Sequence, residues 1–160
     1  MSSSMTIALL WAAALSSGLM GGVYLAFSSF IMRAFDTLGT SQAVAAMNAI
    51  NTTILRSLFM PVFFGSSIIS LSLVVIGLSH WGEAGSELTL LAGVIYLTGM
   101  FICTVIFNVP LNNMLENTAA DGDTAQQAWG HYLSAWVMWN HIRTISSVTT
   151  CALCILILSA

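Results

Sequence analysis

The chain has 160 residues, 58% of them hydrophobic and only 6% charged, with three Arg, no Lys, six acidic residues and a net charge of −3. Soluble domains carry about 25% charged residues, so a water-soluble enzyme of this size is excluded for want of a surface that water can hydrate. Three cations cannot build a phosphate-binding patch, which excludes nucleic-acid binding, and the apolar content excludes disorder.

What remains is an integral membrane protein, all-α, a four-helix bundle with an additional amphipathic helix extending the last span, in a single domain over residues 1–160. A membrane helix needs roughly 20 mostly apolar residues. The first span is expected at about Thr6 to Met32, free of charge until Arg33. The amino-terminal stretch has no Lys or Arg ahead of its apolar run, so it reads as a retained span rather than a signal peptide. Gly18, Gly21 and Gly22 allow close helix approach, within the chain or between copies in a homo-oligomer.

Ser41 to Leu55 reads as a short helix, with Ser41 as its N-cap and Ala43, Ala45, Ala46 and Ala49 favouring helix. Asn48, Thr52 and Arg56 recur every fourth residue and are expected to share a face. This segment either lies at the interface or extends the second span, expected at Leu58 to Leu78 and entered through Pro61. Pro61 is expected to disturb the backbone bonding near Ser57.

The third span is expected at Leu88 to Phe107, followed by a long connection from Val109 to Gln126. Asp121, Gly122 and Asp123 give that connection a turn signal, and Thr124 starts another helix. The fourth span ends at Leu158. The apolar run from Thr144 is too short to cross a bilayer at about 1.5 Å per residue, so the span must begin near Asn140 and take in His141 and Arg143. Arg33 and Arg56 fall in the first connection and Arg143 at the start of span four. The positive-inside rule then places connections one and three in the cytoplasm and both termini outside a plasma (inner) membrane.

The strongest signal is a stripe on the last helix. At about 100° per residue, Tyr132, Trp136, Asn140 and Arg143 fall within roughly 60° of Trp129. Trp139 lies at the stripe's edge, and Ser147, Thr150, Cys151 and Cys154 carry the face onward into the membrane. Facing lipid, Asn140 and Arg143 would be costly; facing the bundle, they can pair with other helices. An aromatic belt with a snorkelling Arg accounts for Trp136, Trp139 and Arg143, but not for Asn140 among them.

At the end of span three stand Asn108, Pro110, Asn112 and Asn113. Pro110 frees a carbonyl near Ile106, which Asn108 and Asn112 can satisfy, or else they present amides to a ligand. The alternative is a Pro-kinked helix end with capping Asn residues. Cys151 and Cys154 form a C-x-x-C inside a membrane span, with Cys103 alone, and read as small apolar side chains rather than redox groups. His80, His131 and His141 form no metal constellation, so neither a metal nor a cofactor is expected. All six acidic residues lie in connections, which argues against proton-coupled transport.

At these residues the chain resembles the anthrone oxygenase-like family of small four-span membrane proteins. The likeness rests on Asn108-Val-Pro110-Leu-Asn112-Asn113, followed by Trp136, Trp139, Asn140 and Arg143, with Arg56 in the matching early polar position. The resemblance covers nearly the whole chain. It implies a four-span fold and, for the members known to act, cofactor-independent oxidation of polyketide anthrones to anthraquinones by molecular oxygen. Carried over, it gives a catalytic set of Arg143, Asn140, Asn108 and Asn112 around an oxyanion. Trp129, Tyr132, Trp136, Trp139 and Arg56 would hold a flat hydrophobic substrate. His141 is the nearby candidate base, poorly angled. A non-enzymatic assembly or scaffold protein is the alternative, and a small transporter a third reading. A cavity lined by the Asn residues and Arg143 would favour the first.

Overall fold

The computed structural model describes residues 3–118 and 122–160. The turn expected around Asp121 therefore lies partly outside the described residues. The described residues are helical, with no strand among them. Four helices are long and apolar enough to cross a membrane: α1 (Ser4–Asp36), α3 (Phe59–Ser79), α4 (Ser86–Glu116) and α5 (Asp123–Ser159). A shorter helix, α2 (Thr40–Ile54), joins α1 to α3.

The spans are longer than apolar runs alone suggested. The Ser3 hydroxyl caps α1, accepting from the Thr6 amide at 3.2 Å, and α1 passes Arg33 to end at Asp36. α4 does not stop near Phe107 but continues through Pro110 to Glu116, so the expected long connection from Val109 shrinks to a few residues. The reason is a change of helical register. The segments Leu97–Ile102 and Thr104–Asn108 are π-helical, and the Val109 amide bonds to the Thr104 carbonyl, five residues back. A π turn absorbs the register slip ahead of a proline that lacks a donor.

α5 is one continuous helix of 37 residues, about 55 Å long. That is nearly twice the ~30 Å of a hydrocarbon core. The helix expected to extend the last span from about Thr124 and the span itself are one element, running unbroken through Asn140 from Asp123.

At α2 one expectation is corrected and one of two alternatives is removed. Its N-cap is Gly39 at φ 86°, with no side-chain cap, and Ser41 lies inside the helix. A left-handed turn there suits glycine, which has no Cβ to clash. α2 also stays separate from α3: the chain turns over residues 55–58, with the Arg56 and Ser57 amides bonding to the Thr53 and Ile54 carbonyls. Pro61 falls in the first turn of α3, where a missing N–H costs nothing.

α1 lies along α5 and α3 along α4. Gly18 and Gly21 are consumed within the chain: a Cβ on them would meet Cys151 and Val148 of α5, whereas Gly22 faces open space. A Cβ at Gly93 would sit 2.5 Å from the Ser70 carbonyl oxygen, so only glycine lets α3 and α4 approach this closely.

One half of the bundle holds an apolar core of Leu10, Ala13, Ala14, Leu73, Ala92 and Cys154. At the other end α2 buries Ala43, Val44 and Met47 against Met32, Leu115, Trp129, Tyr132 and Trp136. Many Ser and Thr hydroxyls in the spans bond to a carbonyl four residues back, as at Ser17, Ser67 and Thr104. They are thereby satisfied within their own helix.

Candidate functional site

The stripe on α5 turns inward. Trp129, Tyr132, Trp136, Asn140, Arg143, Ser147, Thr150 and Cys154 are all buried, while His131 and His141 are exposed. Trp129, Tyr132 and Trp136 form a stacked ladder, with successive ring centroids 5.8 and 6.0 Å apart. Each polar edge of that ladder has a partner. Trp129 Nε1 donates to Asp36 Oδ1 at 2.9 Å. Asn112 Oδ1 accepts from both the Tyr132 hydroxyl (2.8 Å) and Trp136 Nε1 (2.9 Å).

Asn108 and Asn140 work on backbone. Asn108 Nδ2 donates to the Trp136 carbonyl at 3.3 Å, tying α4 to α5. Asn140 Nδ2 donates to the Tyr24 carbonyl (2.7 Å) and to Ser28 Oγ (2.6 Å). Ser28 lies in a π turn of α1, Phe27–Ile31, so Asn140 supplies donors where the α-helical ladder is interrupted.

Arg143 is 5% exposed. Its Nη2 donates to Asn140 Oδ1 at 2.7 Å and its Nη1 to Thr104 Oγ1 at 3.4 Å. The guanidinium carbon lies 4.4 Å from the Tyr24 ring centroid and 4.9 Å from that of Trp136. Nε has no partner. No carboxylate pairs with this cation among the described residues. A buried charge is normally paired; this one is held by two ring faces and neutral oxygens.

Beside it is a cavity of about 260 Å³. α1 contributes Tyr24 and Phe27, α2 Met47 and Asn51, α3 Phe59 and Phe63, α4 Phe101, Thr104 and Asn112, and α5 Trp136 and Arg143. Seven of the lining residues carry rings: Phe63 lies 5.4 Å from Phe101 and 6.0 Å from Phe59, centroid to centroid. The lining is mostly apolar, with Asn51, Thr104, Asn112 and Arg143 as its polar members.

Of the residues the sequence singled out, Arg143, Asn112 and Trp136 line this cavity, and Asn140 and Asn108 support it from behind. The other four do not reach it. Trp129 and Tyr132 share the angular face of Arg143 but lie fourteen and eleven residues away along one helix, about 21 and 16 Å. They pack the α2 end instead. Trp139 turns outward and stacks on Phe107 at 3.6 Å. Arg56 is exposed, because α2 ends at Ile54 and the turn swings it away.

Tyr24, Asn51, Thr104 and the Phe cluster were not foreseen. Tyr24, Phe59, Phe63 and Phe101 stand in apolar runs where a cavity wall and a lipid face have the same composition. Asn51 was one residue from the face assigned to Asn48, Thr52 and Arg56. The family model described as anthrone oxygenase matches residues 56–153, more than half of the chain. No curated protein and no solved structure matches.

Proposed function

The chain belongs to the anthrone oxygenase family, and on that premise we propose that it binds a flat, hydrophobic, acidic aromatic molecule in the Arg143 cavity and promotes its oxidation by molecular oxygen. The observation that carries this reading is the unneutralised guanidinium beside an aromatic-walled cavity.

An anthrone loses a proton from the methylene opposite its carbonyl, and the negative charge moves onto the carbonyl oxygen. Arg143, held between the Tyr24 and Trp136 rings, stabilises that oxyanion more than it stabilises the neutral molecule. Thr104 and Asn140 hold the guanidinium, while Tyr24 and Trp136 fix its plane. The cavity walls contain no Asp, Glu, His or Lys. The residues present therefore act by making the substrate easier to ionise, with the proton leaving to solvent, rather than by taking it on a side chain. The carbanion then adds oxygen. One oxygen atom remains as the new carbonyl, and the other leaves as water with the two methylene hydrogens, so the substrate supplies every electron.

A transporter would need polar groups continued across the bilayer. The cavity is lined in the α2 half, and the other half holds the apolar core around Leu73 and Ala92. Arg33 and Arg56 are exposed at the α2 end, which supports placing that end in the cytoplasm and both termini outside a plasma (inner) membrane.

Oxygen uptake by purified protein with a panel of anthrones and quinols tests the proposal, with Arg143→Ala as control. Turnover that disappears in the variant is the expected result. No turnover above buffer with any member of the panel would remove the oxygenase reading and leave a membrane assembly protein.

A further inference from the structure

Three of the four polar residues in the cavity wall are already engaged. Arg143 holds the oxyanion. Thr104 spends its proton on the Met100 carbonyl at 2.7 Å and lends its oxygen to the guanidinium. Asn51 Nδ2 is closed off from accessible space, against Tyr132. Asn112 is different. Its Oδ1 accepts from the Tyr132 hydroxyl at 2.8 Å and from Trp136 Nε1 at 2.9 Å. An indole N–H can only donate, so the amide cannot be turned round, and both lone pairs of its oxygen are taken. The direction of Nδ2 is thereby fixed.

That nitrogen donates to no described residue. It is not among the atoms sealed from accessible space, and Asn112 is half-buried on the cavity wall. The wall therefore presents an amide donor whose orientation two other side chains hold in advance. Such preorganisation favours a ligand oxygen that meets it, because little freedom is lost on binding. The donor is also separate from the cation. Thr104, which meets the guanidinium, and Asn112 are eight residues apart on α4, about 12 Å along the axis. The guanidinium lies over the face of Trp136 and Asn112 at its N–H edge. An oxygen seated on Arg143 leaves the amide to another oxygen of the same ligand, nearer the α2 end.

We propose that Asn112 is a specificity residue whose amide takes a second, uncharged oxygen of the substrate, on a ring edge remote from the ketone. The substrate class narrows from any flat acidic aromatic to fused aromatic ketones that carry a further hydroxyl, ether or carbonyl oxygen. Tyr132 and Trp136 are positioning residues for that donor. This rests on the reading of the Arg143 cavity as the substrate site.

The test measures binding to the full chain in phosphatidylcholine nanodiscs by quenching of tryptophan fluorescence, without oxygen so that no ligand turns over. Unsubstituted anthrone is compared with anthrones bearing a single hydroxyl or a single methoxy group on a flanking ring away from the ketone, each corrected for its partition into empty nanodiscs. Both substituted compounds should bind about tenfold tighter than anthrone itself, the worth of one good hydrogen bond. Asn112→Asp keeps the oxygen that Tyr132 and Trp136 use and replaces the donor with an acceptor. In that variant the methoxy compound loses its advantage, while the hydroxyl compound, which can donate, keeps it. A merely structural Asn112 would not separate the two. An advantage of less than about twofold in the parent, or a methoxy advantage that survives Asn112→Asp, overturns the proposal. If anthrone binds and the substituents make no difference, this inference fails and the reading of the Arg143 cavity stands. If no compound binds, both fall.

Discussion

Replacing Arg143 with Gln separates what the charge does for function from what it does for the fold. Gln keeps a donor three residues from Asn140 on the same helix, so the Asn140 Oδ1 contact now made at 2.7 Å can be remade without the charge. Losing the charge forfeits one charge-assisted hydrogen bond, about 1.5–3 kcal/mol, and two cation–π contacts at roughly 0.5–2 kcal/mol each. It also removes the cost of holding a guanidinium inside the membrane, about 2.5–3.5 kcal/mol on insertion scales. These nearly cancel, so unfolding of the variant in nanodiscs should stay within a few kcal/mol of the parent. Ligand chemistry has no such compensation. Removing one donor to a developing oxyanion in a dry site costs about 2.7–4 kcal/mol, or 10²–10³ in rate. Oxygen uptake at saturating anthrone is the assay, with thermal unfolding of the same samples beside it. A variant that folds and retains more than a third of the parent's rate would refute the reasoning.

Asn112→Leu strands the Tyr132 hydroxyl and Trp136 Nε1, which share Asn112 Oδ1. At roughly 1–3 kcal/mol for each buried orphan, denaturant unfolding should show a loss of about 2–4 kcal/mol. Gly93→Ala drives a Cβ against the Ser70 carbonyl and Val74 and should destabilise by about 1–3 kcal/mol, whereas Gly22→Ala meets nothing within 4 Å and should be neutral or slightly stabilising by the same melt. Trp139→Ala removes the ring stacked on Phe107 outside the cavity, so anthrone affinity should hold within about twofold. Phe101→Trp adds bulk to the cavity wall and should lower that affinity at least tenfold; equal affinities in these two variants would misplace the site.

The bundle itself was legible because a chain this poor in charge has one solvent it can fold in, and because helix is one of two ways to satisfy backbone in lipid. The burial of Asn140 and Arg143 was legible too, since their cost in lipid turns them toward other helices. Angular position on α5 was a good guide and axial position was neglected: Trp129 shares Arg143's face and still sits about 21 Å away. The rest of the site comes from other spans. Phe59, Phe63 and Phe101 stand in sequences where every neighbour is apolar, and no periodicity marks which side meets a cavity. The π turns before Pro110 and around Ser28 leave no compositional trace, yet they set the register that carries α4 past its expected end. Arg56 was misassigned because a four-residue spacing implies a shared face only while the helix lasts, and α2 ends at Ile54.

The most direct measurement is the ionisation of an anthrone bound to the protein, followed by the visible absorbance of its anion as pH is varied in nanodiscs. A cation beside the carbonyl oxygen favours the charged form. The bound compound should therefore ionise at a pH at least about one unit below that of the same compound in empty nanodiscs, equivalent to about 1.4 kcal/mol, and Arg143→Gln should erase the difference. Ionisation at the same or a higher pH in the unmodified protein would contradict the account.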